Sequence, residues 1–309
     1  MVTYQMGFVG TESLQVRENL TDMRWILCFL APLMSFAQPS DLYLFTLTTQ
    51  PDGSYAVEAP KYLSGFNAGG YTNQPAFIDE NHLLVTAGPS TDLLETDLYE
   101  LDLNSSRITR LTKTADREYS PSITPEKRTL TCVIVDATNT SEQWLWSYPT
   151  DLSSGGRAVI GDLTNVGYYC HLPDGWIAVF EVEDAPLLNL YNPASDEKSY
   201  VTNNAGRCLQ RHPDGSLLFV HKHSDEYWFI KKIRPGERSQ IVKKTLPGSE
   251  DFTILGDGSI LMAQDSRLYL LQPDGDNLWH EIADLADYGI DRVTRLAHNG
   301  AGKLAVVTN

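Results

Sequence analysis

Three groupings of side chains in this sequence are of types that do chemistry. His221 and His223 stand two apart, with Asp225 and Glu226 just beyond. A spacing of two puts both imidazoles on one side of a strand, and imidazole with carboxylate is a donor set that zinc accepts. The favoured reading of the pair is still an exposed strand end on the face opposite any site. His171 and Arg211 hold matching places in neighbouring repeats, where other repeats carry Phe77, Ile123 and Ile254. Polar groups there are expected to form a structural hydrogen-bonding pair, with a channel-facing role as the alternative. Cys170 and Cys208 fall on adjacent inner strands, and a bridge needs Cα atoms within about 7 Å. The expectation is two small, free, buried thiols. No Gly-x-Ser-x-Gly elbow, His-Glu-x-x-His pair, Walker loop or dinucleotide fingerprint occurs.

Any site must therefore be assembled by the fold, and the fold is legible as a repeat. Segments opening at Leu42, Leu98, Trp144, Leu187, Tyr227 and Leu268 follow one another at steps of 56, 46, 43, 40 and 41 residues. Most units begin with an aromatic-rich strand, such as the LYEL run from Leu98 or the LYLL run from Leu268. A tight turn and a more polar strand follow. A third strand then ends in a second turn, at Pro125-Glu126, Pro173-Asp174-Gly175, Pro213-Asp214-Gly215 or Gly256-Asp257-Gly258. The fourth strand is almost wholly apolar, as in residues 130–135, 217–220 and 304–307. Runs of that kind suit strands covered on both faces.

Six units of four strands predict an all-β, six-bladed β-propeller, in which ring closure removes exposed sheet edges. The phase of the repeat predicts how the ring closes. The chain opens with two outer strands (residues 42–63) and ends with two inner strands (residues 293–307). Together these should form one composite blade.

The turn Pro121-Ser122-Ile123-Thr124-Pro125-Glu126 resembles the WD40-like repeat of the TolB propeller family. So do Pro173-Asp174-Gly175-Trp176-Ile177-Ala178 and Asp97-Leu98-Tyr99-Glu100-Leu101-Asp102, the latter closed by ITRLT at residues 108–112. The resemblance is sharpest over residues 73–137. It implies an exported propeller that acts as a binding or interaction module, without implying TolB's own partners.

Export is also readable directly. Residues 25–34 are apolar and too few to span a bilayer. Arg24 precedes them, and Ser35-Phe36-Ala37 offers small residues for cleavage after Ala37. The region before Met23 is acidic, which fits a signal badly, so the start of translation is expected at Met23. Residues 1–37 thus read as leader and signal peptide and residues 38–309 as one propeller domain. The destination is periplasmic or secreted, with no membrane span. The formal charge of −16 repels nucleic acid.

The first strand of each blade lines the central channel. Counted back from the turn, position −4 holds Pro75, Pro121, Tyr169, Leu209 and Phe252. Alternation then assigns −4 to the blade interfaces and −3 and −5 to the channel. The ligand-binding candidates at this mouth are Gln74, Tyr119, Tyr168, Arg207, Asp251 and Arg292. Aromatics, amides and charges of both signs suit a small polar ligand or an envelope or extracellular protein partner. No catalytic residue, metal ligand or cofactor is required. The alternative is a metal-dependent hydrolase or lactonase, resembling gluconolactonase-type six-bladed propellers. It would use a divalent cation such as calcium, with Asp251, Gln74, Asn73 and Glu118 as the residue types on offer.

Overall fold

The computed structural model describes residues 38–51, 53–58, 60–89 and 95–309. The description that follows concerns the unit these residues form. The proposed signal segment lies outside the described residues. Apart from three short 3-10 turns, the described elements are strands. None of the described helices is long and apolar enough to cross a membrane.

Six antiparallel sheets form a ring. Blade 1 runs outward from Tyr71–Phe77 through His82–Gly88 and Asp97–Asp102 to Ile108–Arg110. Blades 2 to 5 repeat the pattern, with innermost strands Arg117–Ile123, Val166–His171, Ala205–Arg211 and Phe252–Ile254. Blade 6 is composite. Its inner strands Val293–His298 and Lys303–Thr308 come from the end of the chain, and Asp41–Thr49 pairs onto them from the beginning. The register Leu42 to Val307 and Phe45 to Leu304 closes the circle. The outermost position of this blade is split between Tyr55–Val57 and Lys61–Tyr62, each pairing with a different half of Asp41–Thr49. Pro60 stands between the two pieces; proline has no N–H to give a ladder and fits only such an edge.

The core is divided among the seams between blades, and each of the six seams holds one apolar cluster. This explains the continuous apolar runs. In Leu217–Lys222, Leu217 and Phe219 pack toward blade 3 while Leu218 and Val220 pack toward blade 5. Likewise Leu83 and Val85 face blade 6 and Leu84 faces blade 2. The turns end the inner strands as the sequence indicates. Asp174 and Gly175 both take positive φ, 57° and 76°, the backbone that short hairpin turns demand. Gly215 has φ +86°, and a Cβ there would stand 2.9 Å from the Pro173 ring of the preceding blade. The turns are thus packed blade against blade.

Candidate functional site

The innermost strands all run from one mouth of the channel to the other, so equivalent residues share a height. Positions −4 and −5 alternate between the two neighbouring blades, where the sequence reading assigns −5 to the channel. A radial sheet shows its two faces to its two neighbours and only its edge to the channel. Position −4 leans on the preceding blade: the Tyr169 hydroxyl donates to the Ser120 carbonyl at 2.9 Å, and Leu209 and Phe252 sit in the seams behind them. Position −5 leans on the following blade, whose backbone it engages. The Ser120 amide donates to Gln74 Oε1 at 2.7 Å, and the Leu296 amide to Asp251 Oδ1 at 2.8 Å. The Phe252 amide likewise points to Cys208 Sγ at 3.4 Å.

Gln74 and Ser120 are held at φ 55° and 51°, beside the register shifts of their strands. Similar shifts interrupt the inner strands of blades 3, 4 and 6. Such bulges re-aim side chains next to sites. Five of the six inner strands carry such a shift, and blade 5 keeps an unbroken register.

Large side chains from all six blades meet at this end. The Tyr71 and Tyr119 rings of blades 1 and 2 approach edge to face, with centroids 6.4 Å apart. Tyr168 of blade 3 receives a hydrogen bond from Arg295 of blade 6, 3.0 Å away across the channel. The Arg295 guanidinium also lies over the Tyr168 ring at 5.1 Å, within cation–π range. Blade 5 supplies Asp251, 3.7 Å from Arg295, and Glu250, 2.8 Å from Arg207 of blade 4. Lys222 joins Glu250 as well.

Burial dominates the electrostatics. It raises the Tyr71 hydroxyl far above its ordinary value, with Arg295, Tyr168, Tyr119 and Arg207 as the neighbouring groups that act on it. Burial also raises Asp251, against the pull of Arg295 and Arg207. Arg295 stays charged: burial opposes its charge, while Tyr168 and Asp251 hold it. The arrangement is a shallow ring of phenols and guanidinia, partly neutralised by two carboxylates. It can donate many hydrogen bonds to an oxygen-rich ligand.

Of the six sequence candidates, Tyr119, Tyr168, Arg207 and Asp251 come together here. Gln74 reaches the same belt but spends its side-chain oxygen on Ser120. Arg292 is exposed in the loop before blade 6 and joins none of these contacts. Tyr71 and Arg295 were not among the six. Counting back from Gly300 places Arg295 at −5, but the blade 6 turn lacks the proline that marks the register elsewhere.

Other expectations change in place. His221 pairs with Ala205 at the start of an inner strand, so the two histidines lie on the mouth face and not on the opposite one. Their rings do share a side, 5.9 Å apart. His171 bonds Thr131 of blade 2 at 2.9 Å and not Arg211; burial pushes its pKa down to about 4. Arg211 is exposed at the far end of the channel. It lines a cavity of about 500 Å³ there with His212, Ile254 and His298. Cys132, Cys170 and Cys208 are free.

The four residue types of the metal-dependent alternative are dispersed. Asp251 and Gln74 are engaged as above, and Asn73 reaches back to Ser40 at 3.3 Å. Glu118 is fully buried in the seam between blades 1 and 2. Burial raises its pKa to about 7. No group of three or more His, Cys, Asp or Glu side chains is placed to hold a metal ion among the described residues.

No protein-family model and no curated protein matches the sequence. Solved structures do match in fold. A protein from Agrobacterium tumefaciens assigned as TolB is 14% identical, with a TM-score of 0.63 over 87% of this chain and 98% of that one. TolB from Acinetobacter baumannii is 12% identical, with a TM-score of 0.55 over 89% of this chain and 65% of that one. A protein assigned as a gluconolactonase is 11% identical, with a TM-score of 0.56 over 78% and 89%. At these identities the likeness is one of fold, and the fold of this chain is a TolB-like six-bladed β-propeller.

Proposed function

We propose that the chain is an exported binding module that uses the mouth ringed by Tyr71, Tyr119, Tyr168, Arg207, Asp251 and Arg295. The ligand is a polar, oxygen-rich group, carried by a small molecule or presented by an envelope or extracellular protein. The observation that carries the reading is the Arg295–Tyr168 bond across the channel. It brings hydrogen-bonding groups from opposite blades together beside the Tyr71 and Tyr119 rings. The apolar segment of residues 25–34, with small residues for cleavage after Ala37, supports export to the periplasm or beyond.

Capture from a cell-envelope extract tests this. The wild-type chain should retain a partner or ligand that Tyr168→Ala and Arg207→Ala lose. Arg211→Ala, at the far end of the channel, should retain it. Retention by all variants would place the binding elsewhere.

A second reading is a metal-dependent hydrolase or lactonase, motivated by the likeness in fold to the gluconolactonase structure. A structure of oligogalacturonate lyase in complex with manganese shares the fold as well, at 14% identity and a TM-score of 0.51. This reading needs a divalent cation at the mouth. Metal analysis after purification in calcium tests it: a stoichiometric ion lost in Asp251→Asn would favour it.

A further inference from the structure

A second grouping of polar side chains stands at the far end of the channel. Position −2 of the inner strands holds Phe77, Ile123, His171, Arg211, Ile254 and, counted from Gly300, His298. Three of these are apolar, and His171 is spent on Thr131 of blade 2. That leaves Arg211 of blade 4 and His298 of blade 6, with Ile254 of blade 5 between them, and all three line the cavity there.

The wall of this cavity is built from the turns of four successive blades. Each of their three seams closes on a glycine. A Cβ on Gly215 would stand 2.9 Å from the Pro173 ring, one on Gly258 3.0 Å from His212 Nε2, and one on Gly256 2.8 Å from the Gly300 carbonyl oxygen. The turns therefore pack against one another along an arc and bound an open cavity of about 500 Å³, in the size range of small-molecule sites.

The acids near this wall are already committed. Lys232, His212 and the Ser216 amide and hydroxyl hold the Asp214 carboxylate. Asp257 receives the Tyr55 hydroxyl at 3.1 Å and the Ser259 amide at 2.9 Å. The Arg211 guanidinium, by contrast, forms no hydrogen bond or ion pair with the described residues. His298 accepts the Gly300 amide on Nδ1 at 3.0 Å, which leaves its ring proton on Nε2. Burial lowers its pKa against the pull of Asp257, so at neutral pH it is an uncharged ring with one N–H to donate. That N–H has no partner among the described residues either.

A free guanidinium on a convex surface is merely solvated. Here it stands in a concavity, beside a free N–H and an apolar wall. One guanidinium and one neutral donor match the single charge and two oxygens of a carboxylate. A phosphate dianion would leave a negative charge unbalanced in a chain of net charge −16. Ile254 and the rings of Pro173 and Pro213 line the same cavity, and they offer apolar surface to the body that carries the carboxylate.

We infer that this cavity binds a small carboxylate with an apolar body. The carboxylate sits on Arg211 and His298 Nε2, and the body lies on Ile254 and the proline rings. The site is at the opposite end of the channel from the proposed mouth and does not depend on it.

Calorimetric titration of the full chain with 2-naphthoate, and with the uncharged 2-naphthalenemethanol as its counterpart, tests this. The wild type should bind one naphthoate at least about tenfold more tightly than the alcohol. Arg211→Gln, at an exposed position, should weaken naphthoate at least about tenfold and leave the alcohol unchanged. Arg211→Lys should fall between, because an ammonium cannot fork across both carboxylate oxygens. His298→Phe, matching Phe77 of blade 1, should weaken naphthoate severalfold. Arg157→Gln removes an exposed cation from the outermost strand of blade 2 and should bind as the wild type does. Absence of saturable naphthoate binding, equal affinity for acid and alcohol, or wild-type affinity in Arg211→Gln would overturn the inference. A larger loss in Arg207→Ala than in Arg211→Gln would put the carboxylate at the mouth and likewise overturn it.

Discussion

Replacing Arg295 with Gln removes the cation from a nearly enclosed pair while leaving its carboxylate in place. Arg295 and Asp251 are 15% and 14% exposed and 3.7 Å apart. At an effective dielectric of about 20 their attraction is roughly 4–5 kcal/mol before desolvation. Breaking such a pair on one side strands the other charge, which typically costs about 3–5 kcal/mol. Asp251 keeps the Leu296 amide, so the expected loss lies at the low end, about 3 kcal/mol.

The loss should depend on pH with a definite sign. Burial already raises Asp251 above the ordinary carboxylate value. The native state therefore binds its proton more tightly than the unfolded chain, and stability falls as pH rises through the window above the unfolded value of about 3.9. Without Arg295 the native value climbs further. The deficit is then greatest at neutral pH and shrinks on acidification. Urea titrations at pH 7 and pH 4.5, followed by tryptophan fluorescence, measure it. Adding Asp251→Asn to the Arg295→Gln chain should recover at least half of the lost stability at pH 7. A loss below about 0.5 kcal/mol, or no recovery in the double variant, would refute the reasoning.

Other consequences are simpler. His171 has its pKa lowered by burial to about 4, so its contribution is full above pH 6.5 and drains away as pH falls toward 4. That is about 3 kcal/mol of acid sensitivity, and His171→Phe, matching Phe77 of blade 1, should flatten the acid limb in urea titrations. Phe219 is fully buried in the seam between blades 3 and 4; Phe219→Ala should cost about 3–5 kcal/mol by denaturant unfolding. Burial raises the Cys132, Cys170 and Cys208 thiols, Cys170 to about 12. In a Cys28→Ser chain, a thiol-specific dye should therefore label none of them rapidly before denaturation and all three after it.

The ring was readable because its punctuation is local. The Pro173-Asp174-Gly175 and Pro213-Asp214-Gly215 turns mark the ends of inner strands, and runs such as residues 217–220 betray strands covered on both faces. Even the closing blade could be deduced, since the phase left two outer strands at one end and two inner strands at the other. The site was harder. Gln74 and Ser120 take positive φ without glycine, so the bulges that re-aim their strands leave no signature in the sequence. Glu118 reads as a polar residue of the rim, yet the register shift beyond Tyr119 turns it into the seam. Arg295 sits before a turn without proline, and its partner Tyr168 is 127 residues away. That contact exists only once the ring has closed, and no local pattern announces it.

The same contact gives the most direct test of the closed ring and of the mouth it builds. A double-mutant cycle with Tyr168→Phe and Arg295→Gln, read by urea unfolding, isolates the interaction between blades 3 and 6. A charge-assisted hydrogen bond reinforced by the ring face predicts a coupling energy of about 1–2 kcal/mol. Additivity within about 0.3 kcal/mol would mean that the two residues do not meet across the channel.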